Sequence, residues 1–156
     1  MNRLLKDEVK LLITIKGIAP LVALAFLAEV GNIKRFRTRR KMNAYLGIAP
    51  RIKGSGGKTQ VGHITRESRN LTSTLLTQSI HHLTEASPYF RIFYENLSEK
   101  RGAGRARIAL IRKVCGMVRR KLLTGECYRW MDNNLYVRKL KLYEKDLESI
   151  KRKKTA

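Results

Sequence analysis

The sequence has few acidic residues. Asp and Glu together number 12 against 34 Lys and Arg, which gives the 156-residue chain a formal net charge of +22 at pH 7. A compact domain with this charge repels itself unless a polyanion neutralises it. Nucleic acid is therefore the first partner to expect, and an anionic membrane surface the second. The carboxylates form no pair at a useful spacing for a two-metal nuclease, so we expect no metal and no cofactor in this chain.

Cysteine is scarce, and no apolar run is long. Cys115 and Cys127 form no CxxC motif and lie near no pair of histidines, so neither a zinc site nor a disulfide framework is indicated. The longest apolar run, residues 17–28, is too short to span a bilayer. Asp7 and Glu8 stand where the apolar core of a cleaved signal would begin. We therefore predict a cytoplasmic protein with reduced thiols and no membrane partner.

Apolar residues make up 43% of the chain, which is enough for a folded core. They recur mostly at helical spacing, so we predict a mainly α fold. A domain over residues 1–132 is expected to be followed by a basic, helical tail over 133–156. The helix at 105–123 is expected to be the longest. The predicted helices of the domain cover residues 2–15, 20–30, 38–46, 65–86, 88–100 and 105–123.

The first two predicted helices resemble a helix-hairpin-helix over residues 11–30. In that motif a glycine-rich turn offers backbone N–H groups to a DNA phosphate. Gly17 lies in the turn, but Ala19 stands where a second glycine is usual. The hairpin therefore either binds a phosphate or only packs. The second helix carries Leu21, Leu24, Ala25 and Ala28 on one side.

A glycine-rich, basic segment over residues 51–69 carries the candidate chemistry. Ser55 has no bulky neighbour, so its hydroxyl can approach a large electrophile, and fixed cations suit a phosphate. The alternative is a flexible basic surface loop, with a short extended piece near Val61. The residues expected to bind nucleic acid here are Arg51, Lys53, Gly54, Gly56, Gly57, Lys58, Arg66 and Arg69.

Two familiar serine and phosphate motifs do not fit this segment. A P-loop would need a glycine at position 52, which is Ile52, and a serine-hydrolase elbow would need GxSxG. What fits is attack by Ser55 on a phosphodiester, which forms a phosphoserine link that a DNA hydroxyl later displaces.

Further along the chain, Arg105, Arg112 and Arg119 recur every seven residues and so lie on one stripe of a helix. The stripe is either a solvated face or a surface that faces phosphates. The aromatic residues of segment 89–94 are expected in the core rather than as a base-stacking platform, and Trp130 is expected to pack back onto the domain.

An ordered series of short motifs resembles one protein family over about residues 8–130. The similarity is to the C-terminal transposase domain of the IS-110/IS-116/IS-902 insertion-sequence group. The motifs, in chain order, are Leu12–Pro20, Leu27–Phe36, Tyr45–Pro50, Gly54–Lys58, Gly62–Arg66, Gly104–Ala109 and Leu123–Tyr128.

This resemblance implies a DNA recombinase in which Ser55 is the nucleophile. It further implies a RuvC-like DEDD domain that binds Mg²⁺ and precedes this region, a structured guide RNA, and an oligomer on DNA. That preceding domain is not in this sequence. Ser68 directly follows Glu67 where the family commonly has a glycine, and Thr72 replaces a frequent arginine. We therefore expect a truncated transposase, inactive alone; the alternative is a non-catalytic, basic nucleic-acid-binding module.

Overall fold

The protein is mainly α-helical, as predicted. The fold is known from a computed structural model, which describes the backbone of residues 3–55, 58–64 and 71–155 and the side chains of 5–49, 71–150 and 152. The α-helices are α1 Arg3–Leu12, α2 Pro20–Val30, α3 Arg39–Tyr45, α4 Leu71–Gln78, α5 Ile80–Ala86, α6 Pro88–Arg101, α7 Ala103–Thr124 and α8 Asn133–Thr155. A 3-10 helix, Ile33–Arg35, and two strands, β1 Pro50–Ser55 and β2 Lys58–Ile64, complete the elements. No helix in these ranges is both long and apolar enough to cross a membrane.

Several helix boundaries follow local signals in the sequence. Pro20 is the first residue of α2, where its missing N–H has no intrahelical partner to lose. The hydroxyl of Thr38 accepts a hydrogen bond from the backbone N–H of Lys41 at 3.2 Å and so caps α3. Gly125 ends α7 in the left-handed conformation, with φ of 70°. The prediction of the longest helix was wrong, because α8 has 23 residues and α7 has 22.

The helix predicted over 65–86 is two helices, separated at Ser79. The hydroxyl of Ser79 donates to the carbonyl of Leu75 at 2.7 Å, and the hydroxyl of Thr77 donates to the carbonyl of Ser73 at 2.7 Å. Serine and threonine bonds of this kind bend helices. The predicted N-terminal caps at 65 or 68 lie outside the described residues.

A distant carboxylate holds the beginning of α4. The two oxygens of Glu29, in α2, accept hydrogen bonds from the backbone N–H groups of Leu71 and Thr72 at 3.1 and 3.2 Å. A negative charge at a helix N-terminus also complements the helix dipole. The bond therefore fixes the first turn of α4 against α2.

The core is built around α7. Its buried side chains include Leu110, Val114 and Val118, which recur at helical spacing, together with Cys115. Burial raises the pKa of the Cys115 thiol to about 12, so this thiol is not a reactive nucleophile.

The side of α2 that carries Leu21, Leu24, Ala25 and Ala28 is only partly buried, since Ala25 is buried and Ala28 is exposed. Leu21 is 64% exposed, whereas Val22, Phe26 and Leu27 are buried. The helix is apolar almost all round, so its hydrophobic pattern does not predict which side faces the core.

The turn between α1 and α2 packs tightly against other helices. Gly17 has φ of 81°, and a Cβ placed on it would lie 2.6 Å from the Cα of Leu83 in α5. The hydroxyl of Thr14 accepts a hydrogen bond from the backbone N–H of Tyr128 at 3.1 Å. Close packing is therefore enough to explain why position 17 is a glycine. That this turn also binds a phosphate stays a prediction.

Lys139 of α8 also binds this turn. Its ammonium group donates to the carbonyls of Ile13 and Ile15 at 2.9 and 2.8 Å. Burial lowers the pKa of Lys139 to about 8. A neutral amine retains two N–H donors, so both hydrogen bonds can persist when the group loses its proton.

The depressed pKa of Lys139 predicts that stability rises with pH. Between about pH 8 and the ordinary lysine value of 10.5, the unfolded chain binds more protons than the folded chain, so the free energy of unfolding increases with pH. Below pH 8 both states are charged and the folded state carries the full desolvation cost. We expect wild type to gain on the order of 1–3 kcal/mol relative to Lys139→Met across this window, measured by urea unfolding. The exposed Lys141→Met is the control; a constant difference between wild type and Lys139→Met would contradict the prediction.

Candidate nucleic-acid interface

The serine segment contains a β-hairpin. Strands β1 and β2 pair antiparallel, with Ser55 opposite Lys58 and Lys53 opposite Gln60, and with an irregularity between Pro50 and Ile52. The segment was predicted as a loop with a short extended piece near its end, and the strands are longer than that piece. Ser55 therefore lies at the last position of β1, where the two strands join.

The structure describes part of the predicted serine site. The backbones of Arg51, Lys53 and Gly54 belong to β1 and that of Lys58 to β2. Gly56, Gly57, Arg66 and Arg69 lie outside the described residues. Their assignment to nucleic-acid binding stays a prediction.

The predicted arginine stripe on α7 has a structural use as well. The Nε of Arg112 donates to the carbonyl of Ile48, just after α3. The Nη2 of Arg119 donates to the carbonyls of Phe36 and Arg37, just before α3, at 2.9 and 3.2 Å. These two arginines therefore hold both ends of α3 against α7, while Arg105 is exposed.

These bonds leave capacity for a ligand. A guanidinium group has five N–H donors, and Arg112 uses one of them in its bond to Ile48. Partial burial lowers the pKa of Arg112, but a guanidinium stays charged at neutral pH. The arginine is therefore both fixed in position and able to bind an anion.

An open groove with a volume of about 620 Å³ lies between α3, α6 and α7. The described residues that line it include no carboxylate. Lys113 lies over the rings of Phe93 and Tyr89, with its Nζ 3.9 and 4.3 Å from their centroids, so its charge is held at the wall of the groove. The cations that line the groove are Arg39, Arg112, Lys113 and Arg120.

Gly116 gives Arg39 its position in this groove. A Cβ placed on Gly116 would lie 2.5 Å from Cδ of Arg39. The stem of Arg39 therefore crosses α7 where that helix has no side chain. A glycine inside a helix costs about 1 kcal/mol relative to alanine, and such a glycine is a signal of close packing. This pair could not be predicted from the sequence, because the two residues lie far apart in the chain.

Few of the cations are neutralised by carboxylates. Among the side chains that the structure describes, the ion pairs are His81 with Glu85 at 3.0 Å and Lys121 with Glu126 at 3.7 Å. No cluster of three or more His, Cys, Asp or Glu that could hold a metal ion occurs among the described residues. The unneutralised cations of this surface are suited to a polyanion.

Comparisons with known proteins find transposases. The family model described as the transposase IS116/IS110/IS902 family matches residues 9–95. A transposase for insertion sequence element IS1111A from Coxiella burnetii is 30% identical over 120 residues, which are 74% of this chain and 33% of that protein. A protein described as a probable family 20 transposase from Pseudomonas aeruginosa is 27% identical over 126 residues, 78% of this chain and 37% of that protein. The chain thus spans about a third of the length of these curated relatives.

Proposed function

The chain belongs to the IS116/IS110/IS902 family of transposases, and we propose that it binds DNA and exchanges DNA strands with Ser55 as its nucleophile. The observation that carries the proposal is the position of the family match. The match spans residues 9–95 and so includes both strands of the β1–β2 hairpin, in which Ser55 is the last residue of β1. The basic surface beside α3 and α7 supports the same function, because strand exchange requires that phosphates be held in place.

The chemistry follows from what a serine hydroxyl can do. The oxygen of Ser55 bonds to a DNA phosphorus, the bond from phosphorus to the leaving strand breaks, and the leaving oxygen takes up a proton. The hydroxyl of an incoming strand then attacks the phosphoserine, which joins the new strand and restores the serine. Each step exchanges one phosphate ester for another, so no co-reactant is consumed. His63 in β2 is the local candidate to accept the serine proton.

Other components of the family follow from the resemblance. The resemblance assigns Mg²⁺ to a RuvC-like carboxylate domain. We further propose that the protein acts in the cytoplasm as an oligomer on DNA, with a structured guide RNA. The helix-hairpin-helix-like pair α1–α2 would then contribute to DNA binding or only to packing.

A covalent trapping experiment tests this function. The chain is incubated with labelled insertion-sequence junction DNA, with and without an added RuvC-like domain and guide RNA, and the mixture is run on a denaturing gel. We expect a protein–DNA adduct that is lost completely in Ser55→Ala. An adduct that requires the added domain would support a composite site. An adduct that persists in Ser55→Ala would contradict the assignment of the nucleophile.

The alternative function is a basic module that binds nucleic acid without chemistry. One observation favours it: Thr72, which replaces a frequent arginine of the family, is fully buried, and its backbone N–H is bound by Glu29. The position therefore contributes no charge to a phosphate. Absence of any adduct, with DNA binding retained, would favour this alternative.

A further inference from the structure

We propose that the groove between α3, α6 and α7, together with an exposed aromatic pair beside it, binds an unpaired strand of nucleic acid. The proposal rests on the proposed function, because it gives the nucleic-acid binding of that function a defined place. The place differs from the serine hairpin. Three features of the described residues carry the inference: the charge of the groove, its aromatic edge, and a buried polar atom that has no partner.

The groove has the charge and size for the sugar–phosphate of a single strand. Four basic side chains line it, and Gly116 and the Ile48 carbonyl fix two of them, Arg39 and Arg112. Its volume of about 620 Å³ lies within the range of about 300–1,000 Å³ that is usual for small-ligand sites. A pocket of this size suits an unpaired nucleotide rather than a duplex, whose bases are stacked inside the helix.

Two aromatic side chains form an exposed edge to the groove. Tyr89 lines the groove and is 45% exposed, and Trp130 is 54% exposed. Their ring centroids are 5.9 Å apart. The buried Tyr128 meets Trp130 edge-on at 5.7 Å and so holds its orientation. The sequence predicted the aromatic residues of segment 89–94 in the core and both Tyr128 and Trp130 packed back onto the domain. Phe90 and Tyr128 are buried, whereas Tyr89 and Trp130 are exposed.

This arrangement matches the chemistry of single-strand binding. Proteins that bind unpaired strands combine a basic groove that follows the backbone with aromatic rings on which bases stack. An exposed tryptophan beside an exposed tyrosine is otherwise an unfavourable surface. Duplex DNA offers no free base faces along its length, so stacking on this aromatic pair requires unpaired bases.

A buried amide points to the same ligand. Asn43 is 6% exposed and lines the groove, and its Oδ1 accepts no hydrogen bond from the described residues. An acceptor buried without a donor is costly, and a ligand donor would remove that cost. An unpaired nucleotide supplies such a donor, either as a base amino group or, in RNA, as the 2′-hydroxyl.

The single tryptophan of the chain permits a direct test. Trp130 is the one tryptophan in the sequence, so fluorescence excited selectively in tryptophan rather than in the six tyrosines reports on this edge alone. The full chain is titrated with an unpaired oligodeoxynucleotide, an oligoribonucleotide of the same sequence, and the matching duplex. We expect both unpaired strands, but not the duplex, to quench the fluorescence.

Substitutions distinguish stacking from general charge. Tyr89→Ala should weaken binding of the unpaired strand about tenfold, since stacking on one ring is worth roughly 1–3 kcal/mol, and should change duplex binding less than twofold. Ile92→Ala is the matched control, because Ile92 is an exposed apolar residue of the same helix.

Gly116→Ala should displace Arg39 from the groove without loss of thermal stability. The slope of log affinity against log salt concentration, measured on the unpaired strand, should become shallower by about 0.7, as expected for the loss of one phosphate contact.

The result can separate this proposal from the proposed function. One outcome is binding of unpaired strands, detected by anisotropy, that neither quenches the fluorescence nor weakens in Tyr89→Ala. That result would overturn the proposal that the strands bind in the groove, and it would leave the role of Ser55 untouched. Quenching in a chain that forms no Ser55 adduct, even with the RuvC-like domain and guide RNA added, would support the groove and contradict the nucleophile. Equal quenching by the duplex would also overturn the proposal.

Discussion

Raising the salt concentration from 50 to 200 mM is expected to weaken nucleic-acid binding by about 10³-fold or more. Binding through phosphates releases condensed counterions, and the logarithm of the affinity falls with a slope of about −0.9 per contacted phosphate on duplex DNA. With six contacts, a fourfold rise in salt gives roughly this loss. The net charge of +22 and the scarcity of ion pairs among the described side chains leave ample cations for six contacts.

The measurement is a series of anisotropy titrations on one duplex across that range of salt. Arg105→Gln removes an exposed cation of the arginine stripe on α7, outside the groove, and should make the slope shallower. Lys145→Gln removes an exposed cation of α8 and serves as the control of equal charge. A wild-type slope shallower than about −2 would indicate fewer than three phosphate contacts and would contradict an interface dominated by charge.

Much of the helical framework could be predicted because its signals are local. Pro20, Thr38 and Gly125 act through the backbone of their own segment, so each boundary can be read from a few neighbouring residues. The side that a helix buries is a different matter. Leu21 faces outward because the rest of the fold, rather than α2 itself, decides which apolar side is covered.

The candidate interface could be predicted only in part, because it depends on contacts between distant segments. The repeat of Arg112 and Arg119 indicated a common stripe, but their acceptors, the carbonyls of Ile48 and Phe36, lie 64 and 83 residues away. Ser55 was singled out by its glycine-rich surroundings and by family resemblance. The groove could not be predicted, because no single stretch of the sequence forms it. Its cations come from α3 and α7, which lie far apart in the chain.

Gly17→Ala is expected to reduce the free energy of unfolding by about 2–4 kcal/mol. The new Cβ would lie 2.6 Å from Cα and 2.9 Å from the backbone N of Leu83, so a helix backbone, rather than a flexible side chain, would have to move. Alanine would also be strained at φ of 81°. Overpacking of a close contact typically costs about 1–3 kcal/mol, and the unfavourable backbone conformation adds about 1 kcal/mol.

Gly102→Ala provides a matched control for this prediction. Gly102 has the same φ of 81°, but a Cβ placed on it would meet nothing within 4 Å. Gly102→Ala should therefore reduce the free energy of unfolding by only about 1 kcal/mol, from the backbone conformation alone. Urea unfolding of the two variants isolates the close approach of the turn to α5. Equal losses would mean that Gly17 does not pack against Leu83. The turn between α1 and α2 would then be free to offer its backbone N–H groups to a DNA phosphate, as a helix-hairpin-helix does.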